Sequence, residues 1–182
     1  MTVKQTKLKD CFIIEPNVFE DKRGYFFESF NQETFNTKIG FKVNFVQDNE
    51  SYSSKGVLRG LHFQKGKFAQ AKLVRVIKGE VLDVVVDIRQ NSETYAEHVS
   101  VVLNEDNKRQ LFVPRGVAHG FVVLSNTAIF SYKCDNYYNK ASEGGIIYND
   151  SQLNIDWKLP QEELIISEKD IMLPTLNNYN HD

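Results

Sequence analysis

At 182 residues the chain is long enough for one domain with a substantial hydrophobic core. Its apolar and charged fractions, 41% and 25%, match a soluble globular protein and exclude a disordered one. A formal net charge of -2 gives no global attraction to nucleic acid or an anionic membrane, so local basic residues must hold any anionic ligand.

The opening residues, Met1-Thr-Val-Lys-Gln-Thr-Lys-Leu-Lys, lack the apolar h-region of a secretory signal, and no apolar run reaches bilayer length. Cys11 and Cys134 are far apart and lack the CxxC spacing of a zinc or redox site. These features predict a cytoplasmic protein with two reduced, buried thiols.

Short β-like runs recur along the chain. They are Cys11–Ile14, Gly24–Phe30, Lys72–Ile77, Val81–Ile88, Val99–Leu103, Gln110–Val113, Phe121–Leu124 and Ala128–Tyr132. Turn formers such as Lys78-Gly79, Gln90-Asn91-Ser92 and Ser125-Asn126 separate them. Val81–Ile88 is nearly all apolar rather than alternating, which predicts a strand covered on both faces. Helical signal is scarce: Asn31–Lys38, with Asn31 as N-cap and Glu33 in the first turn, and Pro160–Leu164. The pattern predicts an all-β fold, a jelly roll with a few short helices, whose edge strands invite a second subunit. We expect one domain over residues 1–182, with the jelly-roll core at about 40–135 and N-terminal strands and a C-terminal segment packed on it.

Three segments carry ionisable groups where strand pattern asks for apolar side chains. They are Gly56-Val-Leu-Arg59-Gly60-Leu-His62-Phe-Gln64 with Lys72, Pro114-Arg-Gly116-Val-Ala-His119-Gly120-Phe, and Ser131-Tyr132-Lys133 with Glu143. Strands of a small barrel can converge such groups on one interior cavity. Taken singly, each has a plain structural explanation: a hydrogen-bonded histidine, a core tyrosine, a surface arginine. Their combination in short glycine-punctuated runs favours a site, because glycine permits close backbone approach.

A metal centre is the main competing reading. Metal-binding cupins carry an H-x-H pair followed by Glu and a later P-x-G-x-x-H. Here Pro114-x-Gly116-x-x-His119 is intact, but Gln64 stands where the second histidine belongs. A carboxamide is a poor ligand for a transition metal, and Lys72 would repel the cation. We therefore expect a cupin-like double-stranded β-helix with no metal and no cofactor; no GxGxxG motif is present either.

The same residues make the chain resemble the dTDP-4-dehydrorhamnose 3,5-epimerase family. The likeness runs through Asp21-x-Arg23-Gly24, Gln47-Asp-Asn49, Val57-Leu-Arg59-Gly60-Leu-His62-Phe-Gln64, Lys72-Leu-Val-Arg75-Val and Pro114-x-Gly116-x-Ala-His119-Gly120-Phe. It continues through Tyr132-Lys133, Glu143-Gly-Gly-Ile, Tyr148-Asn149-Asp150 and Ser167-x-Lys169-Asp170. Gly66-Lys67, in place of a proline-rich stretch, and Val117, in place of a common Phe, depart from the pattern without touching a catalytic position.

The resemblance implies a dimeric jelly roll that inverts carbons 3 and 5 of dTDP-4-dehydro-6-deoxy-glucose on the way to dTDP-L-rhamnose. It implies His62 as general base, Tyr132 as general acid, Lys72 on the enolate oxygen and Asp170 supporting the base. It further implies substrate contacts from Arg23, Glu28, Gln47, Asp48, Asn49, Arg59, His119, Glu143 and Lys169, with Arg23 and Glu28 serving the partner subunit's site. Phe26 and Tyr138 are candidates for stacking on the base. A single-carbon epimerase, an enzyme for another 4-keto nucleotide sugar, or a non-catalytic sugar-binding cupin are the alternatives.

The residue types suit that chemistry. A proton beside a ketone becomes removable only when the developing oxyanion is stabilised, which an ammonium in a dry cavity can do. Imidazole titrates near neutrality and can take the proton, a carboxylate can orient it, and a phenol can donate on the far face.

Overall fold

The computed structural model describes residues 1–179. Strands β1 (Thr2–Gln5) and β2 (Phe12–Glu15) form one hairpin, and β3 (Phe19–Asp21) and β4 (Gly24–Phe26) form another. Helix α1 (Gln32–Ile39) follows, then β5 (Gln47–Ser54), β6 (Val57–Gln64), β7 (Lys72–Lys78) and β8 (Glu80–Asp87). The chain turns back through β9 (His98–Asn104), β10 (Gln110–Val113), β11 (Val117–Val123) and β12 (Thr127–Cys134). β13 (Glu143–Gly145), β14 (Ile165–Ile166) and the short helix α2 (Glu168–Ile171) complete it.

The central eight strands behave as one long hairpin folded over on itself. β8 pairs β9, β7 pairs β10, β6 pairs β11 and β5 pairs β12, all antiparallel. Rolling that ribbon gives two facing sheets, ordered β1-β2-β10-β7-β12-β5 and β13-β6-β11-β8-β9, with β14 added in parallel beside β6. This is the jelly roll that the strand spacing predicts.

Three apolar clusters hold the layers together. Between the sheets lie Val74, Val76, Val81, Val85, Phe121, Phe130 and their neighbours. Behind the second sheet, Ile146, Leu153, Trp157 and Leu176 of the C-terminal segment cover Leu61, Leu82 and Val84. Behind the first sheet, Phe35 and Ile39 of α1 cover Phe12, Leu73 and Phe112. β8 is thus covered on both faces, as its nearly all-apolar, non-alternating run predicts.

Helix α1 starts where expected: the Asn31 side chain accepts the Thr34 N–H, and Gly40 ends the helix in the left-handed region at φ 87. Two expectations need correction. The run Gly24–Phe30 is a strand only to Phe26, because β3 pairs three residues and Phe30 then turns inward onto Phe35 and Phe45. Pro160–Leu164 makes a single 3-10 turn, Gln161–Glu163, with Pro160 as its cap. Polar β5 was not among the predicted runs; pairing with β12 over its full length makes it a strand.

Candidate active site

Strict alternation along β6 would put Arg59 and His62 on opposite faces. The register against β11 breaks between Phe121↔Arg59 and His119↔His62, so β6 takes three steps where β11 takes two. This bulge turns both Arg59 and His62 inward while Leu58, Leu61 and Phe63 pack behind the sheet. Gly60 and Gly120 make the crossing possible. A Cβ on Gly120 would lie 2.7 Å from the Arg59 carbonyl oxygen, and one on Gly60 would lie 2.5 Å from the Gly120 Cα.

Inward residues of both sheets surround a cleft with two connected lobes. The deeper lobe, about 570 Å³, is lined by Ser51, Arg59, His62, Lys72, His119, Tyr132 and Asp170 among others. The outer lobe, about 380 Å³, is lined by Gln47, Asn49, Gln64, Tyr138 and Glu143. His62, Lys72, Tyr132 and Lys169 line both, so they stand at the junction. His62 and Lys72 come from β6 and β7, and Tyr132 from β12, so imidazole and phenol approach from opposed sheets.

His62 Nε2 lies 2.8 Å from Asp170 Oδ1, and the other oxygen, Oδ2, accepts the Gly60 N–H at 3.2 Å. Asp170 is buried at the first turns after Ser167, whose hydroxyl caps its N–H. Burial alone would raise its pKa, but the His62 hydrogen bond and charge, the Gly60 N–H and Ser167 together hold it below the ordinary carboxylate value. An ionised Asp170 fixes the proton on Nε2 and leaves Nδ1 as the basic atom of the ring.

A second imidazole–carboxylate pair lies beside the first. His119 Nε2 is 2.9 Å from both oxygens of Asp83, and both residues are buried. Asp83 projects from β8 between Val81 and Val85 into the interior apolar cluster. Removing one partner would leave the other buried and uncompensated, at a cost of about 3–5 kcal/mol. Sequence reasoning missed Asp83; the signal was a carboxylate inside an otherwise apolar strand that is covered on both sides.

Lys72 has no ion-pair or hydrogen-bond partner among the described residues, and its Nζ lies 5.8 Å from the centre of the Tyr132 ring. Burial pulls its pKa down, against the attraction of the Asp83 carboxylate. Burial likewise raises the Tyr132 phenol, with Arg59 opposing, so the phenol keeps its proton at neutral pH. Cys134, buried beside Lys72, is pushed up to about 11 and remains a thiol.

The outer lobe is tied by polar contacts. Gln47 Nε2 donates to Asn49 Oδ1 at 3.0 Å, and Gln47 Oε1 accepts the Tyr138 N–H at 3.2 Å. Glu143 accepts from the Tyr138 hydroxyl at 2.9 Å and from Lys169 Nζ, which lowers its pKa through Lys169 first and Tyr138 second. Gln64 Oε1 accepts the Asn139 N–H at 2.9 Å, so the carboxamide in the second-histidine position braces a loop. Among the described residues no group of three or more His, Cys, Asp or Glu side chains could hold a metal ion.

Four of the expected substrate contacts lie outside this cleft. Asp48 points to the outer face of β5, where it accepts from Lys133 Nζ at 2.9 and 3.0 Å, because alternation sends it opposite to Gln47 and Asn49. Arg23 sits on the β3–β4 hairpin with its side chain 84% exposed and paired to Asp21. Phe26 is 71% exposed on the same hairpin, and Glu28 accepts from Asn31 near the start of α1. The hairpin therefore presents Arg23 and Phe26 outward rather than to the cleft of its own chain.

The profile of the dTDP-4-dehydrorhamnose 3,5-epimerase family matches residues 5–178. The chain is 54% identical over 178 residues to the dTDP-4-dehydrorhamnose 3,5-epimerase of Escherichia coli, covering 97% of this chain and 95% of that one. Its structure is similar to that of the dTDP-4-dehydrorhamnose 3,5-epimerase of Elizabethkingia anophelis, with TM-score 0.95, 58% identity, and coverage of 99% and 98% of the two chains. It is also similar to the 3,5-epimerase of Legionella pneumophila in complex with dTDP-4-keto-L-rhamnose, with TM-score 0.94, 47% identity, and coverage of 98% and 94%.

Proposed function

The chain belongs to the dTDP-4-dehydrorhamnose 3,5-epimerase family, and from that premise we propose how its own residues carry the reaction. The enzyme is an isomerase that converts dTDP-4-dehydro-6-deoxy-α-D-glucose to dTDP-4-dehydro-β-L-rhamnose by inverting carbons 3 and 5.

His62 Nδ1 takes the proton from a carbon beside the ketone, and the C–H electron pair moves into the ring to form an enolate. Lys72 donates to the enolate oxygen as charge develops there, in a cavity where water competes poorly. Asp170 holds the resulting imidazolium through its 2.8 Å contact. Tyr132 then gives its phenolic proton to the same carbon from the opposite face, which inverts the centre. The phenolate recovers a proton from solvent and His62 releases its own, so no electrons are gained or lost overall. The same cycle serves the second carbon, because both flank the same ketone.

The observation that carries this assignment is the placement of a carboxylate-backed imidazole and a protonated phenol on opposed walls of one cleft, which the Lys72 ammonium, without a partner among the described residues, also lines. Arg59, with no carboxylate partner among the described residues, suits a diphosphate, and exposed Tyr138 suits a stacked base. Arg23, Phe26 and Glu28 are assigned to the cleft of a second copy in a homodimer, because their hairpin faces away from its own. We assign the cytoplasm as its compartment, which keeps Cys11 and Cys134 reduced; among the described residues no helix is long and apolar enough to cross a membrane.

Incubation with the 4-keto nucleotide sugar in deuterated water tests the scheme by NMR. Deuterium should enter at carbons 3 and 5 with inversion in the native enzyme, and nowhere in His62→Ala. Tyr132→Phe should exchange protons while losing inversion. Full exchange and inversion in His62→Ala would remove it as the base, and deuterium at one carbon alone would mean a single-centre epimerase.

A further inference from the structure

Ser51 Oγ is the one side-chain polar atom among the described residues that is shielded from solvent with no hydrogen-bond partner. Buried hydroxyls are almost always paired, since an unpaired one has lost water and gained nothing, so this atom calls for an explanation. The residue as a whole is only half-buried, and it lines the deeper lobe of the cleft. Rotation of its single χ angle to another staggered well carries the hydroxyl toward the cavity.

Its surroundings indicate what it would meet there. On the inward face of β5, Ser51 lies one pleat from Ser53, whose hydroxyl is 3.4 Å from both Nε and Nη2 of Arg59. That pleat spans about 7 Å, so a group held by the Arg59 guanidinium can be shared with Ser51. Arg59 and Lys72, the nearby cations of this lobe, have no carboxylate partner among the described residues. Among the described residues, two cations without a carboxylate partner and a hydroxyl without a hydrogen-bond partner line one lobe, a set that suits an anionic acceptor.

We propose that Ser51 is a substrate-binding residue whose hydroxyl donates to a diphosphate oxygen of the nucleotide sugar, beside the oxygen taken by Arg59. The assignment rests on the nucleotide-sugar reading above and adds a neutral donor to its anion subsite. The hydroxyl, with no partner among the described residues, is then free to donate to the ligand, so binding discriminates for a phosphoryl group at that spot.

Calorimetric titration of the full chain with dTDP and with thymidine, in native and Ser51→Ala forms, tests it alongside thermal melts without ligand. The dTDP dissociation constant should weaken about tenfold in Ser51→Ala, as for loss of a charge-assisted hydrogen bond, while thymidine affinity stays the same. The melting temperature of the empty variant should be equal or higher, because an unsatisfied group has gone. KM for the nucleotide sugar should rise by a similar factor, with a smaller change in kcat. Should Ser51→Ala melt lower, Ser51→Cys, close in size and a weak donor, should show the same selective loss. Equal dTDP affinity in native and variant protein overturns the role of Ser51 alone. Native protein that binds no dTDP overturns the nucleotide-sugar reading and this assignment with it.

Discussion

Lys72 shows how the site sets stability against chemistry at a single residue. Its ammonium has no hydrogen-bond or ion-pair partner among the described residues, and desolvation holds its pKa below the ordinary 10.5. The unfolded chain therefore binds that proton more readily than the folded one, and folding bears a charging cost at neutral pH. Above 10.5 both states hold a neutral amine and the cost is gone. Lys72→Met should raise the melting temperature at pH 7, and the gain over the native protein should close as pH climbs from the depressed folded value through 10.5. The same change should lower turnover by about 10²–10³-fold, the scale of losing an oxyanion donor. A variant that melted below the native protein at pH 7 would contradict this account of the ammonium.

Between elements, the decisive contact is the crossing of β6 and β11. Arg59 and His62 reach the cleft because β6 carries one extra residue there, and the two glycines let the strands close over it. Any Cβ at position 120 meets backbone, which cannot swing aside as a side chain can. Gly120→Ala should cost about 1–3 kcal/mol, in the range of an overpacked core, and should lower kcat as well by displacing His62 and His119. Denaturant midpoints and steady-state rates would check both, and unchanged values would show that the crossing tolerates a methyl group. The contact between α2 and β6 works in the same way: Asp170 holds the Gly60 N–H and the His62 ring at once, so the base is indexed to the bulge itself.

For the whole molecule, the β3–β4 hairpin poses the main question. It leaves Phe19 and Phe26 at 65% and 71% exposure and puts Arg23 outside the lining of its own chain's cleft. A second copy would cover those rings and receive Arg23 in its site. Arg23→Ala and His62→Ala proteins should each be inactive alone. After mixing and subunit exchange, half the dimers are mixed and each has one complete site, so activity should recover to about a quarter of native. No recovery from mixtures that had exchanged subunits would place Arg23 outside the partner's site.

Much of this architecture was legible in the residues. The nearly all-apolar run of β8, the Asn31 cap and the glycine-flanked His62 and His119 segments follow from local chemistry, in which most residues' preferences agree with their final setting. Polar β5 was not legible, because only pairing with β12 makes Gln47–Ser54 a strand. Nor was the inward turn of both Arg59 and His62, since a bulge is set by register against a distant strand. Asp48 beside Gln47 matched the motif as well as its neighbours did, and alternation alone sent it to the outer face. The amino-acid sequence determined which chemical groups were present and where most of the apolar strands would lie. The tertiary structure decided which groups met, because Asp83 with His119 and Asp170 with His62 are contacts across 36 and 108 positions that no local pattern encodes.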